Sequence, residues 1–256
     1  MKAGRSFLWG ALSFLLLWWG ISLLADNRSL PDPYQTFQRF WQLRAELGLH
    51  AGASVIRVLI SLFFALLIGI PLGIFLGRTK IAAIVDPLLY FLYPIPKVAF
   101  LPVFMIFFGL GNVSKVILIF SVIVIQVVVS IRDGVKEIPA TYFQVMQNYT
   151  QNPLHQIRFL ILPAIMPALF ASMRVSIGIS LASLFFAENY NTTYGVGYLI
   201  LSAWSKMDYE QMLSGIVVIA LMGFFFFGVV DGLENRVCRY RSRLFSITKS
   251  RVSSCY

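Results

Sequence analysis

RDGVKEIPATYFQVMQNYTQNPLHQIRFLILP, residues 132–163, is the one sizeable stretch of this chain that is polar throughout. Apolar runs flank it, 115–131 on one side and 164–187 on the other. Each run is near the roughly 20 residues that an α-helix needs to cross a bilayer. An excursion of this length is too short to fold as a separate domain. Yet it carries Tyr142, Phe143, Val145, Met146 and Tyr149, side chains that seek a surface. Two surfaces fit: a protein partner, or the membrane interface on which an amphipathic helix lies.

Further apolar runs extend outward from this segment. Residues 54–77, 84–108 and 212–230 are of spanning length, and 7–25 forms a first run after Lys2 and Arg5. That first run is longer than a signal-peptide core and has no small-x-small cleavage pattern before Asp26, so it reads as a retained span. The expectation is six spans. Pro94 and Pro96 make 84–108 the run most prone to split into a half-helix and a hairpin. Between the first two spans, Pro31 and Pro33 mark a turn, and apolar residues over 34–49 recur at helical spacing, as in an interfacial helix. The chain therefore divides into a first span (1–25), an outer loop with its interfacial helix (26–50), a five-span core (51–235) that holds the polar loop at 132–163, and a basic tail (236–256).

Composition agrees. The 256 residues are 58% hydrophobic and 12% charged, with mean hydropathy +0.77. Soluble domains run near half apolar and about a quarter charged. A chain this short has no core large enough to hide so much apolar surface, so lipid is its solvent. The net charge of +10 does not indicate nucleic acid, because the cations sit in short gaps between apolar runs rather than on a folded polar face. With the N-terminus inside, Lys2, Arg5, Arg78, Lys80, Arg132, Lys136, Arg158 and the tail cations fall on the cytoplasmic side. Arg28, Arg39, Arg44, Lys115 and Lys206 fall outside. This bias places both termini and the 132–163 loop in the cytoplasm.

Several function classes lack their parts. Only His50 and His155 are present, with no HExxH and no paired carboxylates at helical spacing within a span, so no catalytic or metal-binding residues are assigned. Cys238 and Cys255 have neither CxxC nor histidine company. The phosphate loop of an ATPase is missing from the sequence. A channel or secondary transporter working without an ATPase is the competing transport class, but the two similar halves common in secondary transporters are not visible.

Gly69, Gly73 and Gly77 stand four apart on one helix face, the small-residue spacing that lets two helices approach closely in lipid. Arg57, Lys97 and Arg174 are cations within or at the edges of spans, and Lys97, Arg174 and Glu188 are the charged candidates for a transport path. Such groups are costly in a bilayer and face a cavity or a partner. Lys97 follows Pro94 and Pro96, where a broken helix can line a cavity and suit an anion, although snorkelling to the interface explains it nearly as well. Arg174 lies about three turns into its span, where a carboxylate is its natural partner. Glu188 closes that span at the interface.

Gln144-Val145-Met146 and Thr150, followed by Leu162-Pro163 and Pro167, resemble the cytoplasmic loop shared by permeases of bacterial ATP-binding-cassette importers. That loop reads Glu-Ala-Ala, three residues, Gly, and then Leu-Pro. Here Gln144, Val145 and Met146 replace Glu-Ala-Ala, and Thr150 replaces Gly. Leu30-Pro31-Asp32-Pro33, Arg57-Val58-Leu59, Gly69 to Gly73, Asp86-Pro87, Ile95 to Ala99, Leu101-Pro102, Ala187-Glu188 and Tyr194 to Ile200 are similar, in order, to the nitrate/sulfonate/taurine branch.

The resemblance implies an all-α type I importer permease fold of about six transmembrane helices with a cytoplasmic coupling helix. It implies a homodimer of permeases in the cytoplasmic membrane, two ATP-binding cassette subunits that hold ATP and Mg, and an extracytoplasmic substrate-binding protein. The chain itself would need no cofactor. Gln144, Val145, Met146, Tyr149, Thr150 and Pro163 would meet or orient the ATPase contact, and Lys97, Arg174 and Glu188 are candidates for the substrate path. The cargo implied is a small anionic or heterocyclic nutrient: nitrate, a sulfonate, bicarbonate, or a thiamine or flavin precursor.

Overall fold

The structure is a computed structural model that describes residues 2–25 and 29–238, with side chains in the first helix described at residues 9, 10 and 12–24. The basic tail from residue 239 onward, including Cys255, lies outside the described residues. Eleven helices follow in order among the described residues: α1 Lys2–Ala25, α2 Pro33–Gln42, α3 Arg44–Arg78, α4 Ala82–Leu92, α5 Leu101–Phe108, α6 Asn112–Lys136, α7 Ala140–Tyr149, α8 Pro153–Gln156, α9 Leu162–Glu188, α10 Val196–Ser205 and α11 Tyr209–Val237. A 3₁₀ turn, Lys97–Phe100, leads into α5, and a π turn, Ile157–Ile161, leads into α9.

Among the described residues, α3, α6, the run Pro153–Glu188 and α11 are each long and apolar enough to cross a bilayer. α4 and Lys97–Phe108 together are long and apolar enough for a fifth, and they are bent by 83° to one another. α1 is helical over the whole first expected span, and its described apolar part is Leu12–Leu24. The six expected runs thus map onto α1, α3, the bent pair, α6, α9 and α11. Proline explains the bend. Pro94 and Pro96 supply no N–H to continue α4.

The stretch 34–49 departs from its reading as one interfacial helix. α2 starts on Pro33, with Asp32 accepting from the Gln35 N–H at 2.7 Å, and stops at Leu43. From Arg44 the chain is already in α3, which runs 35 residues. Nothing between Arg44 and Ser54 breaks a helix, so α3 extends beyond its apolar run; at 1.5 Å per residue it is about 52 Å long. α2 leaves Tyr34, Phe37 and Trp41 exposed. At positions i, i+3 and i+7 these rings lie on one face, and they form the aromatic surface that suits a headgroup boundary.

The chain forms two compact units, and α3, α9 and α11 each contribute to both. Residues 1–56 and 184–222 make one unit. In it Arg39 pairs with Asp208 at 2.7 Å, and Ser214 donates to the Thr36 carbonyl at 3.1 Å, joining α2 to the start of α11. Burial works to raise the Asp208 pKa, but the Gln211 N–H and Arg39 outweigh it and hold the carboxyl below its ordinary value.

Residues 57–183 and 223–238 lie in the second unit, and α6 is its axis. Ile119, Ile123, Val127, Ile131 and Val135 are buried at every fourth position. The glycine face of α3 lies on this row. A Cβ at Gly69 would come within 2.8 Å of Val127, at Gly73 within 2.6 Å of Ile131, and at Gly77 within 2.6 Å of Val135. On another side of α6, Gly134 faces Ala168 and Ile165, and Ser130 donates to the Ala168 carbonyl. These contacts hold α9 close.

The Gly73→Val change should therefore lower stability by about 1–3 kcal/mol, because the added atoms meet the Val128 carbonyl oxygen as well as a side chain. Thermal unfolding in detergent reads this as a lower Tm. Gly52→Ala in the same helix has nothing of this chain within 4 Å and should be neutral or slightly stabilising. Equal effects of the two would remove the packing argument.

Candidate functional site

The polar segment forms a short helix between two bends. α6 continues through Arg132 to Lys136, so the loop proper is shorter than the 132–163 interruption read from the sequence. Pro139 precedes α7 and Thr150 ends it, the Thr150 N–H bonding the Met146 carbonyl at 2.9 Å. Tyr142, Val145 and Tyr149 are exposed, as is Gln144, while Phe143, Met146 and Thr150 are partly covered. α7 therefore has a free aromatic face and a face turned to the protein.

Thr150 organises the next turn. Its Oγ1 accepts from the Asn152 N–H at 3.2 Å, its carbonyl accepts from Gln156 Nε2 at 3.4 Å, and Asn152 caps α8 through the Leu154 N–H at 3.0 Å. The backbone at Thr150 is extended, with φ −158° and ψ 136°. No left-handed conformation is required there, so threonine fits where the resembling loop has glycine. Downstream, the π turn precedes Pro163, whose ring nitrogen has no N–H to offer the Phe159 carbonyl, and helical geometry resumes through Pro167 to Glu188.

Arg78, at the end of α3, clamps this region. Its Nη2 donates to Gln156 Oε1 at 3.0 Å, and its guanidinium lies 5.8 Å from the Phe143 ring centroid. In the sequence Arg78 counts only as a cytoplasmic cation, and no local pattern marks it as a clamp.

A charge cluster stands where α6 meets α4. Arg132 is 1% exposed. Its Nη1 donates to Asp86 Oδ1 at 2.6 Å, and it also reaches Asp133 at 2.8 Å and the Tyr90 hydroxyl at 3.3 Å. Lys136, one turn on, takes the other Asp86 oxygen at 2.8 Å. Asp86 thus ties the first half of the broken span to the end of α6 that leads into α7.

Lys97 sits at the break itself. Its Nζ donates to the carbonyls of Leu92 and Tyr93, at 3.0 and 3.1 Å, and of Ile95 at 3.4 Å. Arg174 on α9 pairs with Asp231 at 2.6 Å and with Glu234, two carboxylates one turn apart on α11. Lys97 and Arg174 share no partner among the described residues.

In the other unit, Glu188 is fully buried. Ser54 Oγ donates to both its oxygens at 2.7 and 2.9 Å, and the Gly197 N–H reaches Oε2 at 2.9 Å. The Val196 N–H goes to Ser54 Oγ at 2.9 Å, and His50 Nδ1 lies 3.0 Å from Gly195 N. Three successive N–H groups at the start of α10, which have no partner inside a helix, are met by His50, Ser54 and Glu188. A carboxylate is also the favoured charge at that end. Gly195 and Gly197 are close-approach positions: a Cβ on either would come within 2.6 Å of Glu188 or of the Phe185 carbonyl.

Spanning helices, one bent apolar pair and a short exposed helix between spans define a multi-span membrane protein. Residues 69–239 match the family described as binding-protein-dependent transport system inner membrane component, and the chain belongs to it. The taurine transport system permease protein TauC of Escherichia coli is 30% identical over 239 residues, covering 89% of this chain and 87% of that protein. The putative aliphatic sulfonates transport permease protein SsuC of Bacillus subtilis is 29% identical, covering 83% and 78%. The nitrate import permease protein NrtB of Synechocystis is 24% identical, covering 89% and 87%. A chain of the inward-facing MetNI methionine ABC transporter superposes with a TM-score of 0.64 at 15% identity, over 77% of this chain and 98% of that one. The fold is that of a type I ABC importer permease, in a multi-pass inner-membrane protein.

Proposed function

We propose that this chain is the permease subunit of an ATP-driven importer that passes a small nutrient from an extracytoplasmic binding protein to the cytoplasm. Two copies form the pathway, and ATPase subunits, which carry ATP and Mg, dock on α7. The observation that carries this reading is α7 itself: a ten-residue helix between spans, held at Phe143 and Gln156 by Arg78, with Tyr142, Val145 and Tyr149 left uncovered. An ATPase that closes on ATP would push on Gln144, Val145, Met146, Tyr149 and Thr150, and the helix running from Pro153 through Pro163 would carry the push into the bundle. Both termini face the cytoplasm, as the cation bias of the loops requires.

The cargo belongs to the small sulfonates and anions named for the relatives, taurine, aliphatic sulfonates and nitrate, with heterocyclic thiamine or flavin precursors as the wider range. Lys97, Arg174 and Glu188 remain the candidates for its path. Arg174 and Glu188 already have protein partners and act there by holding helices in place.

Purifying the chain from its native membrane tests the class. An ATPase that stays bound supports the reading, whereas ion current through the purified chain alone would overturn it. Met146→Glu places a charge on the covered side of α7, and Thr150→Arg removes the turn hydroxyl. Either should cut ATP-driven uptake about tenfold or more, the effect of roughly 1.4 kcal/mol at the contact, while ATP hydrolysis persists. Unchanged uptake in both would refute the assignment of α7.

A further inference from the structure

The break between α4 and the Lys97–Phe100 turn opens a cavity of about 260 Å³ inside the second unit. It is smaller than the roughly 300–1,000 Å³ of sites for drug-sized ligands. Ile95, Val122 and Ile125 are among its apolar walls, and Lys97, Tyr93, Gln126 and Ser183 supply its polar groups. No carboxylate lines it.

The cavity holds one positive charge and no negative one among the described residues. The three carbonyls around Lys97 satisfy the ammonium N–H groups and cap α4, but dipoles leave its net charge in place, and among the described residues no carboxylate pairs with it. Gln126 accepts from the Tyr93 hydroxyl through Oε1 at 2.5 Å. Its Nε2 donates to no group among the described residues. A single positive charge and an amide donor, walled by aliphatic side chains, favour an anion more strongly than they would in bulk water. A cation within an apolar span and without a carboxylate partner is costly, and a passing anion relieves that cost.

We propose that this cavity is an anion subsite on the transport path, taking one monovalent oxoanion the size of nitrate, bicarbonate or a small sulfonate. Lys97 supplies the charge, and Gln126 Nε2 and Ser183 supply hydrogen bonds. The assignment rests on the importer reading above and narrows its cargo to anions.

The test uses the full-length chain in proteoliposomes, with Cys238→Ser and Cys255→Ser to clear the native thiols and Ser183→Cys as the reporter. Thiol modification is timed with two reagents of similar size, the anionic sulfonatoethyl and the cationic trimethylammonioethyl methanethiosulfonate. The anionic reagent should react about tenfold faster, within the range that a focused charge gives. Nitrate or methanesulfonate should slow it, and Lys97→Gln should abolish the preference. Equal rates, a cationic preference, or no reaction with either reagent would overturn the subsite. Gln126→Leu, which leaves the carbonyl cap on Lys97 intact, covers the case in which Lys97→Gln fails to fold: it should reduce nitrate protection, and unaltered protection counts against the subsite. ATP-driven uptake of nitrate and methanesulfonate by the assembled transporter separates the two readings. Uptake without reagent preference removes the subsite alone, and preference without ATP-driven uptake removes the importer reading alone.

Discussion

Glu188→Ala should destabilise the protein by about 2–6 kcal/mol, since the Ser54 hydroxyl and the Gly197 N–H would both lose a buried acceptor at a cost of roughly 1–3 kcal/mol each. The loss is large beside the roughly 5–15 kcal/mol that keeps a typical domain folded. It should also be local at first. With the carboxylate gone, one of the three tertiary caps on α10 is missing, and the 189–195 loop is released from its end. Hydrogen exchange at Gly195, Val196 and Gly197 should accelerate before the rest of the chain responds. Glu188→Gln keeps an acceptor oxygen and should cost less than half as much. A Glu188→Ala protein with the native Tm and native exchange at these three amides would show that the carboxylate does not hold the loop. The same variants address the substrate path: if Glu188 only holds structure, the Gln form transports normally.

The second large effect is at Arg132. Arg132→Met fills similar length but strips Asp86 of its buried partner, and breaking a buried pair by removing one member costs about 3–5 kcal/mol. Lys136 still reaches Asp86, so the lower end of that range is expected. Lys136→Met serves as the contrast. Its side chain is 44% exposed, and pairs of that kind are worth about 0–1 kcal/mol. Because Asp86 links the first half of the broken span to the end of α6 next to α7, Arg132→Met should also weaken the coupling of ATP hydrolysis to uptake beyond its effect on Tm. Uptake per ATP at a temperature where both proteins are folded measures this. An unchanged ratio would confine the cluster to stability.

Much of the fold was legible because lipid imposes a simple rule: a crossing helix must be about twenty apolar residues long. Residues 115–131, 164–187 and 212–230 satisfied it and lie within α6, α9 and α11. Proline chemistry marked the break at Pro94 and Pro96, and glycine spacing marked the face of α3 that meets α6. The helix ends were less visible. α3 begins at Arg44 and α6 ends at Lys136, since a polar residue does not stop a helix unless its backbone is also interrupted. The sequence pattern therefore marks Arg132 as a loop cation, whereas it is a buried helical one.

The segment 132–163 shows the same division. Its polarity between two apolar runs and its aromatic residues mark an excursion that seeks a surface, and the resemblance of its Leu162-Pro163 end to the importer loop implies the short helix found there. Composition and periodicity determine such features, because they depend on neighbours along the chain and on the solvent. Arg78 as the clamp on Phe143 and Gln156, Asp86 as the bridge between Arg132 and Lys136, and Glu188 as a cap on α10 depend on residues 46 to 78 positions apart, or on a turn folded back on itself. A charged side chain reads alike in sequence whether water, a carbonyl or a carboxylate receives it. Only the tertiary structure decided which, because the partner of each is set by how the helices pack.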